Sequence, residues 1–536
     1  MKLAYADGSE IELQKNTTMA LGAARGTRML GLVKDCRGKW LKLDAGRLVA
    51  QVAKQPAGQP MVLATPQAMV TVVGTRFSLD ADRDLTRLEV QEGVVRVENL
   101  VDQKTEDVRA GESVTAGAER TAISPVSPQT LDYQYTTTNG QVTITRYIGA
   151  GGEVVIPVTI RDMPVTVIGP TAFLDCKGLT RVTIPTGVTT IGRSAFSSCA
   201  RLGNVTIPSG VTSIGHGAFA GCTNLNQVTI PSSITSLAMS LFYKCTRLSS
   251  VTIPATVTSI GDYAFSGCAS LSSVTIPASV VSIGAGAFSG CTSLSNVTIP
   301  SGVTNIGQYA FLECANLTSV TIPTSVTSFA TALFGNCIRL SNVTIPTSVT
   351  SIGSSAFNGC ASLTGVTIPA SVISIKGGAF GQCTSLGSVT IPATVASLDT
   401  AGLFANCTSL TNATLLPGNI TTIGGDMFNN CTKLKSFAIP GGVTRIGDHA
   451  FMNCTSLTRV TIPGGVTRIG DQGFHTCTSL TGIYFEGKPP SPGNTMFEAD
   501  NNLKVYYLAG KNGWGSTYGG RPTALWDQTT ELSRTR

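Results

Sequence analysis

A cysteine returns every 23 residues. Cys176, Cys199, Cys222, Cys245, Cys268, Cys291, Cys314, Cys337, Cys360 and Cys383 keep that interval; Cys407 and Cys431 follow at 24, and Cys454 and Cys477 at 23. A phenylalanine stands three residues before each of these fourteen cysteines, from Phe173 to Phe474. A fixed period of this size is the mark of a solenoid, in which one unit cannot bury its apolar side alone and stacked neighbours share a continuous core. Phe497 continues the series with Asp500 in the cysteine's place, so the last unit is a decayed repeat.

The unit reads LTRVTIPTGVTTIGRSAFSSC from Leu179 and LGNVTIPSGVTSIGHGAFAGC from Leu202. In V-T-I the Val and Ile point one way and the Thr the other, because strand side chains alternate. Proline has no N–H to give and fixes φ, so it ends the strand at a corner. V-T-x-I-G makes a second short extended piece, and its Gly is expected to supply a backbone shape that other residues resist. The Ala-Phe pair fills the interior. At about 4.8 Å per coil, roughly fourteen coils give a rod of about 65 Å.

This repeat closely resembles the BspA-like leucine-rich repeat of bacterial surface proteins, over about residues 165–485. Some units depart from it: Leu237-Ala238, Phe329-Ala330 and Leu398-Asp399 replace the Ile-Gly pair, and in another unit Lys376 replaces the Gly. Local changes of coil shape are expected there, with the fold intact.

Residues 1–118 read as a separate all-β domain. Leu3 to Leu13 is a hairpin with an Asp7-Gly8 turn. Strands are predicted at Trp40–Leu43, Arg47–Val52, Met61–Thr65, Met69–Val73, Arg87–Gln91 and Val94–Glu98, punctuated by Gly46, Gly74, Gly93 and Gly111. The segment LDAGRLVAQVAKQPAGQPMVLATPQAMVTVVGTRFSL, the turn Gly74-Thr75-Arg76-Phe77 and the run Glu92-Gly93-Val94-Val95 resemble the FecR domain of bacterial envelope proteins. That resemblance implies an extracytoplasmic place and, in its full form, relay of a signal to a sigma factor through a membrane helix and a cytoplasmic segment. This sequence contains neither.

The fold class expected is therefore mostly β, with a FecR-like domain followed by a capped leucine-rich-repeat solenoid. The domain plan is 1–118 for the FecR-like part, 119–132 as a linker with two Ser-Pro pairs, and 133–168 as a hairpin and N-terminal cap turning at Asn139-Gly140. Repeats follow at 169–485, and a C-terminal cap and tail at 486–536. The last stretch gathers Tyr484, Phe485, Phe497, Tyr506, Tyr507, Trp514, Tyr518 and Trp526. They read as a plug for the final coil, or alternatively as a platform for sugar or peptide.

Charged residues are only 13% of the chain and the net charge is +7, without a basic stripe interleaved with aromatics, which argues against nucleic acid. No apolar run approaches the roughly 18 residues of a membrane span. The start, MKLAYADGSEIELQ, lacks the charged-then-apolar layout of a signal peptide. Export is expected to rely on a segment missing from this sequence, and any membrane attachment likewise.

Nothing in the motifs points to catalysis, a cofactor or a metal. His216, His449 and His475 are isolated, no CxxC occurs, and GxSxG, HExxH and P-loop patterns are absent. The repeated cysteines read as buried thiols acting as small hydrophobes; Cys36 lies outside the series and receives no role. Asp448 and Asp471 stand one coil apart beside Arg445 and Arg468, which suggests a surface ion-pair ladder of little stabilising value.

The candidate binding surface is the outward row of the first strand. It carries Thr206, Thr229, Thr252, Thr275, Thr298, Thr321 and Thr344, with Asn204, Asn296 and Asn342 two residues earlier in their coils. Threonine also suits strands for its own sake. The alternative to that plain packing role is a multivalent face for glycans or protein strands, in which weak hydrogen bonds add. Arg445, Arg459 and Arg468 make the late coils basic and form a candidate patch for an anionic partner. The resemblances imply adhesion or protein binding at the cell surface, or, as the rival, envelope signal sensing with the solenoid as ligand trap.

Overall fold

The computed structural model describes residues 2–13, 17–23, 39–56, 59–81, 85–100, 103–117, 122–125, 132–396, 398, 401–418 and 420–526. Cys36 and Asp399 fall outside them. Among the described residues there is strand and turn and no helix. The chain forms two compact units, one of residues 1–134 with 147–149, the other of 135–146 with 150–536.

The first unit is built on one strand, Lys39–Gln51. Its first half pairs with Thr18–Ala23 and, in parallel, with Met61–Ala64; its second half pairs with Glu10–Leu13 and Arg76–Ala81. The sequence suggested two strands broken at Gly46. The chain instead runs straight through, because Gly46 takes a φ of 106° and redirects the strand between two sets of partners without ending it. Alternating residues from both sets close on one core that includes Leu41, Leu43, Leu48, Val70, Phe77, Leu79, Leu88 and Val97. Ala122–Pro125, inside the expected linker, is a strand paired antiparallel with Glu112–Thr115. The two Ser-Pro pairs did not reveal it, since proline is tolerated at a sheet edge.

The predicted hairpin forms, Tyr133–Thr138 and Gln141–Tyr147 around Asn139-Gly140, and its residues 135–146 begin the second unit. Gln141–Tyr147 then pairs in parallel with Met163–Ile168 and starts the stack. From there neighbouring coils bond on up to three sides. On the first, x-V-T strands lie in register, as in Asn204↔Gln227↔Ser250 and Thr206↔Thr229↔Thr252. On the second, the x-I pieces do the same, as in Ser259↔Ser282↔Asn305. On the third, the turn around Ala-Phe sends alternate amides to the following coil, Ser194 to His216, Phe196 to Ala218 and Ser198 to Ala220.

That third side needs two left-handed residues per coil. They fall two residues before the phenylalanine and one before the cysteine: Ser194 and Ser198, Tyr263 and Gly267, Tyr309 and Glu313. The Ile-Gly glycine is a different matter. Gly192, Gly215, Gly284 and Gly307 keep ordinary φ values, but a Cβ on any of them would stand 2.4 to 2.6 Å from the backbone of the preceding coil. Its role is close approach between coils, not the unusual backbone shape expected.

The interior holds one row per consensus position. Phe196 to Phe474 are fully buried and stack along the axis, with ring centroids 5.5 Å apart and planes 6° from parallel between Phe288 and Phe311. Thirteen of the repeat cysteines are buried, and Cys176, the first of the series, is half-buried; all fourteen are free thiols. The second sheet breaks between Ser213–Ile214 and Ser236–Leu237, and between Asn305–Ile306 and Ser328–Phe329. Both breaks coincide with departures from Ile-Gly, as expected, and the stack continues through them.

Candidate functional site: the strand face

Hydroxyl rows run along several sides of the array, and they are used differently. In the second sheet Thr212 donates to the Thr189 carbonyl, Thr258 to Thr235 and Thr350 to Thr327, at 3.1 to 3.4 Å. After the cysteines, Thr223 donates to Ala200 and Thr384 to Ala361. At the corners Thr256 and Ser371 donate to Ile234 and Val349, both at 2.8 Å. Each of these side chains clamps one coil to the one before.

On the first sheet the outward threonines do nothing of the kind. Thr206, Thr229, Thr252, Thr275, Thr298, Thr321 and Thr344 are all exposed. Among the described residues none has a side-chain hydrogen bond, although their β-neighbours Val205, Val228 and Val297 are buried. Asn204, Asn296 and Asn342 are exposed as well. Asn296 is the partial exception: its Oδ1 accepts from Ser319 Oγ at 3.0 Å and from Thr318 Oγ1 at 3.4 Å. The predicted residues therefore share one exposed side of the array. From Asn204 to Asn412 its x positions are Asn, Gln, Ser or Gly, with no charge.

The ladder under the row is interrupted twice, at residues 273–275 and between Asn342–Val343 and Gly365–Thr367. Residues 273–275 join the next coil only through a Ser273↔Asn296 bridge. There the surface sinks into a groove of about 440 Å³, lined by Thr275, Asn296, Thr298, Ala278 and Pro300 over Val274 and Val297.

Towards the C-terminus the same rows change character. The register Thr461↔Tyr484↔Tyr506 puts two tyrosines where threonine stood, and Arg459↔Gly482↔Lys504 brings in two cations. The Tyr484 ring is laid back over Gly482, where a Cβ would meet it at 2.7 Å. It stacks on Tyr506 at 4.7 Å, with the Arg459 guanidinium 3.8 Å from its centroid and Trp526 edge-on at 5.2 Å. The other aromatics form the plug: Phe485, Trp514 and Tyr518 pack mutually, Tyr507 stacks on Trp514, and Tyr518 Oη donates to the Pro490 carbonyl. The aromatic cluster thus divides between a cap interior and the end of the strand face.

The expected arginine patch is divided too. Arg445 and Arg468 are register partners in the second sheet, whereas Arg459 belongs to the first. The spacing in sequence hid this, because x-V-T and x-I positions face different sides of one coil. Asp448 and Asp471 form no ion pair with those arginines among the described residues. Asp448 Oδ1 accepts the Asp471 amide at 3.0 Å, and Asp471 Oδ1 accepts the Asn494 amide at 2.8 Å. Each of these two carboxylates is taken by a backbone N–H of the following coil. His449 lies 3.6 Å from Asp426, and His475 lies 3.5 Å from Glu498.

Sequence reasoning treated the thiols as plain hydrophobes and missed their bonding. Cys199 Sγ donates to the Phe173 carbonyl at 3.1 Å, Cys291 to Phe265 at 3.2 Å and Cys477 to Phe451 at 3.1 Å, each reaching 26 residues back. Burial pushes the Cys222, Cys291, Cys337 and Cys407 thiols up to about 12.

Comparison with known proteins decides the family. The model described as BspA type leucine rich repeat region matches six copies spanning residues 156–271, 258–387 and 374–504. The chain belongs to the BspA-type leucine-rich repeat family. Residues 1–96 match the FecR protein model, so this BspA-type chain carries a FecR-like domain at its N-terminus. A leucine-rich repeat protein from Bacteroides ovatus is 29% identical over 70% of this chain and 98% of its own, with a TM-score of 0.61. A leucine rich cell surface protein from Faecalibacterium prausnitzii is 29% identical, covering 67% of this chain and 94% of that one, with a TM-score of 0.39. The leucine rich repeat protein of T. pallidum is 30% identical over 43% of this chain and 88% of its own, with a TM-score of 0.25. No curated protein matches. The two families are not defined by catalysis, and leucine-rich repeats of this kind generally mediate protein interactions. Among the described residues no helix is long and apolar enough to cross a membrane.

Proposed function

We propose that this BspA-type protein is a non-catalytic binding or adhesion protein of the bacterial envelope or cell surface, and that it grips an extended protein strand or glycan along the first-sheet face. One observation carries the reading: among the described residues the outward threonine hydroxyls of that face are uncommitted, while the threonines beside the second sheet, after the cysteines and at the corners clamp coils. A polymer crossing the coils meets the same donor–acceptor set about every 4.8 Å. Each contact is weak, and repetition raises the total through effective concentration. The groove beside Thr275 and Thr298 is the natural anchor.

The test uses the full chain and a variant with Thr252, Thr275, Thr298 and Thr321 changed to Ala, on an array of bacterial and host polysaccharides and extracellular-matrix proteins. A ligand bound by the first and lost by the second supports the reading. Ligands retained by both would reject this face. Shaving intact cells with protease tests the location: peptides from both units, with a cytoplasmic control protein intact, are expected.

The FecR-like match at residues 1–96 favours one second reading, envelope signal sensing with the solenoid as the ligand-binding part. It predicts that expression of a sigma-factor regulon changes when this chain is deleted.

A further inference from the structure

The cysteine ladder ends in a carboxylic acid. Asp500 occupies the cysteine position of the last coil, with no exposed surface, and neither carboxyl oxygen has a hydrogen-bond partner. An ionised carboxylate so placed is costly unless paired. The nearest help is poor. Arg521 spends a guanidinium N–H on the Phe497 carbonyl at 2.7 Å. The Cys477 backbone and the Arg521 charge favour the anion, but neither reaches hydrogen-bonding geometry with it.

The repeat itself supplies a partner for the neutral acid. The thiols from Cys199 to Cys477 each donate to a phenylalanine carbonyl 26 or 27 residues earlier, as Cys431 does to Phe404, Cys454 to Phe428 and Cys477 to Phe451. Counting back from Asp500 gives Phe474. A protonated carboxyl can donate there; a carboxylate would set two acceptors against each other. We propose that the C-terminal cap is a pH-dependent latch, in which the O–H of Asp500 completes the ladder on the Phe474 carbonyl and loss of that proton loosens the cap over residues 496–526. The elements around it carry few rival titrating groups. They are Cys477, Arg521, buried Tyr518, and the His475–Glu498 pair one turn away.

Burial holds the Asp500 carboxyl up at about 7. The sign follows from that raised value. Once the cap opens, the group returns to the ordinary aspartate range near 4. The stabilisation is whole below that range and is lost as pH rises through about 7.

Amide exchange on the full chain, corrected for the intrinsic pH dependence of exchange, tests it between about pH 5 and pH 8. Exchange within the cap should quicken at least tenfold, a factor of ten for each unit separating the closed and open values. The central coils should not change. Asp500→Asn, which cannot ionise, and Asp500→Cys, which restores the ladder, should both flatten the profile. Cap exchange that is flat in the unaltered protein overturns the proposal. So does a pH dependence that survives both variants and disappears in His475→Gln. If the variants do not fold, the carbon-13 signal of the Asp500 carboxyl decides: titration in the ordinary aspartate range rejects the latch, and titration near neutrality sustains it.

Discussion

In the N-terminal unit, strand Lys39–Gln51 pairs with four different strands; in the array, Gln227–Thr229 pairs with two near-copies of itself. Both units are β-structure with alternating side chains. They differ in where specificity lives. In the first, each core residue fills a site that occurs once, so Phe77 has no equivalent. In the array, Phe288 is one of a stacked row, and its environment is made by Phe265 and Phe311. A repeated position announces its job by recurring, whereas a unique one must be found in three dimensions.

The widest separation expected is chemical. In a Cys36→Ser background at about pH 8, the thirteen buried ladder thiols should resist a thiolate-directed reagent until the array unfolds. A thiol at about 12 is roughly one part in 10⁴ thiolate there, against about a quarter for an ordinary cysteine. Peptide mapping reads this, and rapid labelling of Cys291 in the native protein would contradict the ladder.

Core truncation should divide the two units next. Phe77→Ala and Phe288→Ala should each cost about 3–5 kcal/mol. The first should lower one cooperative transition of the N-terminal unit. The second should split unfolding of the array, with amide exchange rising in coils near Cys268 to Cys314 and little elsewhere. A single unchanged array transition would show longer-range coupling than nearest-neighbour stacking allows.

Backbone strain offers a gain. Glu313 sits at φ 59° with an L side chain. Glu313→Gly relieves that and should add up to about 1 kcal/mol, read as a raised Tm. The smallest contrast is between threonine rows: Thr258→Ala removes a clamp and should cost about 0.5–1 kcal/mol, while Thr252→Ala on the strand face should stay within about 0.5 kcal/mol. Equal costs would erase the distinction on which the proposed binding face rests.

How much could be read in advance follows the same divide. Val205 and Ile207 facing in with Thr206 facing out, the buried thiols and the breaks at Leu237 and Phe329 were all legible, because period and alternation determine them. The left-handed positions were not. Ser194, Tyr263 and Glu313 share no side-chain property, since bonds between coils impose the conformation. The Ile-Gly glycine was recognised as special for the wrong reason, as only the neighbouring coil reveals the clash. In the N-terminal unit Arg76–Ala81 was expected to begin as a turn, yet it is a strand against Lys39–Gln51. Of the site, the threonine row was legible residue by residue. Its freedom from clamping was not, nor was the assignment of Arg459 and Arg445 to different sheets.

The parallel register has a last consequence. Two coils carry an extra residue, giving the 24-residue intervals that end at Cys407 and Cys431, yet Ile391 still aligns with Leu415 and Asn412 with Ser436. The second addition is taken up by exposed Leu416, just after the Asn412–Leu415 strand. Length in this array is therefore counted in whole coils and is insensitive to small indels. Duplicating one unit would lengthen the array by one coil, and the coils away from the insertion would keep their nearest-neighbour contacts.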